Sequence, residues 1–357
     1  MKKEDLCFLR KLMKTISPSG YEEDASKMWR KEAVDCGMFV RTDEMGNSMA
    51  QNTKNLVPPP SIMLAGHIDE IGLMITYIND DGFLYFSTIG GWDDQVLPGQ
   101  HVEIKTKDGI LPGVIGKNPI HLIEAKERKN AVKTTDLWID IGALDKTQAT
   151  SLVDIGDCAV VHRSFRRLKG DNVACRGFDD KIGAFVVLQV LKRLSGSATK
   201  NPRVCAVATT QEEVGLRGGR TSAFSVNPDV GIAVDVTFTT DTPTTKPKKN
   251  VLGEISLGKG PVVTRGVNIT PWLFNLIIET AKKEHIPHQV CADSRPTGTD
   301  ANAMQMSRGG MATALISVPN RYMHSPCEIV NLDDVDNTIE LLAKVAIKIT
   351  PEMIKGY

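Results

Sequence analysis

Three things are missing from this 357-residue chain, and each absence removes a class of protein. There is no net charge, because 43 Lys and Arg balance 43 Asp and Glu. Phosphate recognition needs an excess of cations, so nucleic acid is not expected as the main partner. No run of about 18 apolar residues occurs, so no membrane-spanning helix is expected. No Cys-x-x-Cys occurs either: Cys7, Cys36, Cys158, Cys175, Cys205, Cys291 and Cys327 are scattered and odd in number. That excludes a zinc ribbon and a dithiol redox motif. Buried reduced thiols and a cytoplasmic location are the expectation, in keeping with a first segment, Met1 to Cys7, that carries no apolar signal core.

What remains is globular. Hydrophobic residues make up 41% and charged residues 24%, values that rule out a disordered or low-complexity chain. The length suits about two domains. Leu6, Leu9, Leu12, Met13 and Ile16 recur at helical spacing until Ser17-Pro18-Ser19-Gly20 stops them. A second helix is predicted from Tyr21, with Glu22, Glu23 and Asp24 in its first turn, ending at Gly37. Strands are predicted at 38–41 and 48–51 around a Met45-Gly46-Asn47 turn, and at 61–67. From 73 to 163 the pattern changes to short apolar runs at 73–78, 83–89, 102–106, 110–115, 137–141 and 158–162. Asp81-Gly82, Pro98-Gly99 and Asp108-Gly109 punctuate them, and Asp-Gly between apolar runs signals hairpins. The segment is predicted to be a small antiparallel β-barrel or sandwich.

Alternation of helix and strand then resumes. Helices are predicted at 179–194, 221–226, 271–284 and 335–350, and strands at 203–209, 230–235 and 312–318. The first of these helices is apolar around most of its circumference and is expected to be buried. Residues 242–249 read as a solvated basic loop. The fold class is therefore α/β, a mixed sheet between helices with a β-barrel inserted into it. In domain terms, 1–72 and 164–357 would form one discontinuous unit. Residues 73–163 would form the insert, serving oligomerisation or acting as a lid.

Four polar clusters fall at the carboxyl ends of predicted strands, where open α/β sheets place their sites. They are His67-Ile68-Asp69-Glu70, Gln211-Glu212-Glu213, Asp235 and Tyr322-Met323-His324. A fifth, Phe178-Asp179-Asp180-Lys181, opens the buried helix. Two imidazoles with several carboxylates suit two divalent cations of the zinc, cobalt or manganese kind. Such a pair acidifies a shared water and polarises a carbonyl, and a further carboxylate must move the proton. In Glu212-Glu213 neighbouring side chains on extended backbone point to opposite sides. One can hold a metal while the other reaches the water, and spacing alone leaves open which. Asp69, two residues beyond His67, is placed to accept the imidazole's other N–H.

The segments GHIDEIG (66–72), IGGWDDQVLPGQ (89–100), LWIDIGA (137–143), RGFDDKIG (176–183), TTQEEVGLRGG (209–219), AVDV (233–236), TGTDANAM (297–304) and PNRYMHSPCE (319–328) span most of the chain. In that order they resemble the M42 metallo-aminopeptidases, a family that includes glutamyl aminopeptidases and tetrahedral TET peptidases. The resemblance implies that His67 and Asp235 bind one metal, that Glu213 and His324 bind the other, and that Asp179 bridges them. It implies Glu212 as general base and later acid, and Asp69 as the carboxylate orienting His67. It also implies a zinc-peptidase α/β fold, short peptides as substrates, and homo-oligomers that reach a tetrahedral dodecamer. Three other functions compete with it. A di-metal amidase or deacylase would accept blocked substrates. A metal-free glycosidase using paired carboxylates leaves His67 and His324 unexplained. A non-catalytic peptide-binding protein has no use for Glu212.

Overall fold

The computed structural model describes residues 1–52, 60–126, 128–195 and 203–354. The hairpin predicted around Met45-Gly46-Asn47 forms from β1 (Phe39–Thr42) and β2 (Ser48–Gln51), and β3 (Ser61–His67) follows as a fully buried strand. The short apolar runs become β4 (Gly72–Ile78), β5 (Leu84–Ile89), β6 (His101–Thr106), β7 (Gly109–Gly116), β8 (Trp138–Asp140) and β9 (Cys158–Val161). These six close into an antiparallel barrel in the order β4-β5-β8-β7-β6-β9. Leu73, Ile75, Leu84, Val102, Ile104 and Ile139 fill a core of its own. Beyond the barrel come β10 (Arg166–Arg167) and β11 (Asn172–Cys175), then β12 (Arg203–Thr209) and β13 (Val230–Phe238). The last strands are β14 (Val262–Gly266), β15 (Gln289–Asp293), β16 (Ala312–Asn320) and β17 (Glu328–Asn331).

The main sheet is mixed, in the order β1-β2-β12-β3-β13-β16-β14-β15. Its central four strands, β12, β3, β13 and β16, are parallel to one another, so their carboxyl ends share one edge. Strands covered on both faces bury nearly every side chain, which is why they read as continuous apolar runs rather than alternating ones. The helix Phe178–Ser195 lies against this sheet and is buried along almost its whole length, as its all-round apolarity predicts. It packs so tightly on β3 that a Cβ on Gly66 would stand 2.3 Å from the Gly183 backbone carbon. Among the described residues no helix is long and apolar enough to cross a membrane.

Several expectations need correcting. The first helix, Lys3–Leu12, ends before Ile16. The chain leaves it because Ser17 bonds elsewhere: its N–H donates to Glu70 Oε1 (3.1 Å) and its hydroxyl to the Ile68 carbonyl (3.0 Å). Ile16 instead packs with Ile89, Cys158 and Val160, joining this segment to the barrel. Strands β14 and β15, the small β10-β11-β17 sheet and the barrel's Lys146–Leu152 helix had no clear period in the sequence. The 242–249 segment is not all loop, since a turn at Lys246–Lys248 leads into the helix Lys249–Leu252. The seven thiols are all free, yet only Cys158, Cys175 and Cys205 are buried; Cys7, Cys36 and Cys327 are exposed and Cys291 is half-buried.

The contact between Gly66 and Gly183 gives a direct test of the packing. Gly66→Ala forces backbone against backbone and is expected to cost about 1–3 kcal/mol of stability, read as a lower urea midpoint. An unchanged midpoint would mean that strand and helix do not approach this closely.

Candidate metal centre

The shared edge of the parallel strands gathers side chains from five places in the sequence. His67 is the last residue of β3, and Glu212 and Glu213 follow the end of β12. Asp235 lies within β13 opposite Ser317 of β16, and His324 lies just past β16. Asp179 enters from the start of the buried helix, where its backbone is still extended (φ −79°, ψ 104°). The Asp179–Asp180 peptide is cis. Asp180 takes over the start of the regular helix, its Oδ1 accepting from the Gly183 N–H (3.0 Å) and its Oδ2 from the His67 N–H (3.2 Å).

Asp179 turns one oxygen to each imidazole. Its Oδ1 is 3.1 Å from His67 Nε2 and its Oδ2 is 3.2 Å from His324 Nε2. Glu213 Oε1 stands 3.2 Å from His324 Nε2, and Glu212 Oε2 stands 3.8 Å from His67 Nε2. One ligand atom each from His67, Glu212 and Asp235 lies within 4.8 Å of the others, and the same holds for His67, Asp179 and Glu213. Both rings are oriented from behind. His67 Nδ1 is 3.1 Å from the Asp69 carbonyl and His324 Nδ1 is 2.7 Å from the Gly91 carbonyl. A carbonyl oxygen only accepts, so Nδ1 carries the proton of each neutral ring and Nε2 offers its lone pair to the cluster.

The residues fit a pair of divalent cations. Glu213 Oε1 is buried without a hydrogen-bond partner, and the His324 Nε2 atom, an available metal donor, stands 3.2 Å from it. No Lys or Arg forms an ion pair with Asp179, Glu212, Glu213 or Asp235 among the described residues. Arg176 and Lys181, the buried cations of the region, are engaged by Glu70 instead. The titration shifts carry the same message. Burial, aided by Asp235 and Asp300, pushes Glu212 up to about 10. Burial also holds Asp235 well above the usual carboxylate range and raises Glu213. For the imidazoles burial works downward but is outweighed: Asp179 and Glu213 lift His324 to about 11, and Glu212 and Asp179 lift His67. The cluster is short of positive charge, and its N and O donors suit zinc, cobalt or manganese alike.

The family model for M42 glutamyl aminopeptidases matches residues 46–341. The chain belongs to the M42 peptidase family. It is 37% identical to the lysyl aminopeptidase of Pyrococcus furiosus over 348 residues, 96% of this chain and 97% of that protein. Its fold superposes on the TET aminopeptidase of a marine-sediment Thaumarchaeota archaeon with a TM-score of 0.92, at 32% identity, covering 99% of both chains. The TET1 peptidase of Pyrococcus horikoshii, described as assembling into a tetrahedron or a large octahedral shell, matches with a TM-score of 0.84 at 31% identity, covering 97% of this chain and all of that one.

Within this M42 chain, Asp69 is placed differently from the sequence expectation. Its carboxylate is 3.6 Å from His67 Nδ1, outside hydrogen-bond reach, and the ring rests on its carbonyl. The carboxylate instead accepts from Ser19 Oγ (2.6 Å) and from the backbone N–H groups of Glu212 (3.1 Å) and Glu213 (3.2 Å). Glu22 grips the same loop one residue earlier, accepting from the Gln211 N–H (3.0 Å), where φ is +55°. Sequence reasoning missed Glu22, and it also missed Glu328. That buried carboxylate accepts from the Asp179 N–H (2.9 Å) and the His324 N–H (3.3 Å) at once. Its only signal was membership of the PNRYMHSPCE segment. The remaining histidines stay apart: His162 pairs with Glu103 in the barrel, and His288 Nδ1 faces the Ile286 carbonyl. Asp300 receives the Thr209 hydroxyl (2.5 Å), and Arg265 lies over the Phe274 ring.

Two outcomes test this centre. Glu328→Ala releases the backbones of two candidate ligands together and is expected to weaken metal retention about 10–100-fold, measured by competition with a chelator. The second concerns pH. In the metal-free protein the folded pKa values of His324 and Glu212 exceed their unfolded values of 6.5 and 4.5, so between those values the folded state holds more protons than the unfolded state. Stability of the stripped protein is therefore expected to fall as pH climbs from 4.5 toward about 10 to 11, and bound metal is expected to abolish the decline. A melting temperature independent of pH after chelation would contradict the assignment.

Proposed function

We propose that this chain is a dinuclear metallo-aminopeptidase that removes N-terminal residues from short peptides. The observation that carries the reading is Asp179, set with one oxygen toward each of two imidazoles and with two buried glutamates beside them. In this reading His67 and Asp235 would hold one ion, Glu213 and His324 would hold the other, and Asp179 would serve both. When bound, the ions supply Lewis acidity that polarises the scissile carbonyl and acidifies water. Glu212 takes the proton from that water and returns it to the leaving amine. Burial favours this role, because it raises the affinity of Glu212 for a proton far above that of a solvated glutamate. Asp69 fixes the backbone of Glu212 and Glu213 together, so the base and its metal-binding neighbour keep a constant offset. The Asp69 carbonyl and Gly91 keep both Nε2 atoms turned inward.

Residues 1–72 and 164–357 carry the chemistry in this proposal, and the 73–163 insert serves assembly or covers the site. The Gly91 carbonyl against His324 supports the second role, since a loop of the insert orients a ligand. A homo-oligomer, up to a tetrahedral dodecamer, is supported by the assembly described for the Pyrococcus horikoshii relative.

Glu212→Gln is expected to keep both metals and lower turnover about 10²–10⁴-fold, the usual share of a general base. Asp179→Ala is expected to lose metal and activity together, checked by elemental analysis. The decisive assay strips the protein with chelator, adds back zinc, cobalt or manganese, and compares aminoacyl anilides with free and acetylated amino groups. Metal-restored cleavage of the free amines alone is expected. Cleavage of acetylated substrates would indicate an amidase, and chelator-resistant glycoside hydrolysis would indicate a glycosidase.

A further inference from the structure

The cleft that opens onto the candidate metal centre has a volume of about 530 Å³ and two kinds of wall. One is apolar: Phe238 at the end of β13, Val251 and Leu252 from a short helix, and Leu315 from β16. Phe238 is 58% exposed and Val251 77%, unusual for large apolar side chains beside a polar centre. The other wall is the end of β15, where Asp293 faces the same space. Asp293 Oδ1 accepts the Arg295 N–H (2.9 Å), and no Lys, Arg or His forms an ion pair with its carboxylate among the described residues. No Lys or Arg lines the cleft at all among the described residues. The basic 242–249 segment nearby commits Lys249 to Glu254 and contributes no lining residue.

This combination has a definite chemical complement. An apolar wall receives methylene groups, and an exposed carboxylate without a cation receives a positive charge at their end. An acidic side chain would meet carboxylate with no cation to pair it. Building on the aminopeptidase reading above, we propose that the cleft prefers peptides whose first residue is lysine or arginine. Asp293 is the specificity-determining residue that meets the cation, while Phe238, Val251 and Leu252 hold the aliphatic stem.

The test uses the metal-loaded full chain with anilides of lysine, arginine, norleucine, leucine and glutamate. Norleucine carries an aliphatic side chain without the lysine charge, so the lysine-to-norleucine ratio of kcat/KM isolates the electrostatic contribution. That ratio is expected to exceed one at low salt and to shrink as ionic strength rises. Glutamate is expected to be the poorest substrate. Asp293→Asn is expected to lower the lysine-to-norleucine ratio about fivefold, the upper range for a partly exposed ion pair, chiefly through KM. Asp293→Lys is expected to bring glutamate above lysine. A lysine-to-norleucine ratio that Asp293→Asn leaves unchanged, or a wild-type preference for leucine or glutamate, would overturn the proposal while leaving the aminopeptidase reading intact. Absence of cleavage of every free-amine anilide would overturn both.

Discussion

Four buried carboxylates, one buried imidazole and one partly exposed imidazole meet at one edge of a sheet, and the surrounding architecture answers that electrostatic problem. A carboxylate taken out of water needs a cation or several hydrogen bonds. Among the described residues no Lys or Arg pairs with Asp179, Glu212, Glu213 or Asp235, and a divalent pair is the compensation their geometry admits. Around them stand further buried carboxylates that meet the same requirement differently. Asp69, Asp180, Glu22 and Glu328 each accept backbone N–H groups, and each holds in place a segment that carries one of the converging side chains. Glu70 uses the remaining option, sharing its charge with Arg176 and Lys181. One arrangement therefore unites a candidate metal centre with hydrogen bonds that fix the segments around it.

Rigidity also depends on what is absent. Glycine at 66 lets strand and helix touch backbone to backbone, and glycine at 183 leaves room for the Asp180 carboxylate, which reaches the His67 N–H. A barrel with its own core could have hung from the sheet as an independent appendage. Instead its Gly90-Gly91 turn reaches the site: a Cβ on Gly91 would stand 3.3 Å from His324 Nδ1, and the Gly91 carbonyl orients that ring. At this point the insert touches the candidate metal centre directly, through the Gly91 carbonyl and His324 Nδ1.

The legible parts of the sequence were those whose neighbours along the chain decide their environment. The barrel runs, the Ser61–His67 and Arg203–Thr209 strands and the buried helix Phe178–Ser195 all carry their burial in their own period. Edge strands such as Gln289–Asp293, half exposed and mixed in character, carry no such pattern. Ile16 continues a helical period, yet the hydrogen bonds offered by Ile68 and Glu70 pull the chain away from helix. Periodicity has no means of registering a partner fifty residues away.

The candidate site divides along the same line. Residue types and their positions pointed to the clusters that hold His67, Glu212, Glu213, Asp235 and His324, because open sheets project such residues toward one edge, and to the helix start that holds Asp179. The choice of Asp179 over Asp180 and the separate roles of Glu212 and Glu213 came from the resemblance to the M42 family. Which atom of Asp69 meets the imidazole was beyond reach, since carbonyl and carboxylate belong to one residue and only the loop's path separates them. Glu22 and Glu328 were beyond reach for a related reason: their partners are backbone N–H groups, which every sequence contains and no motif marks. Sequence by itself determined the chemistry available at this edge. Tertiary structure decided which oxygen faces which nitrogen, because a hydrogen bond depends on tenths of an ångström that only the packed chain can set.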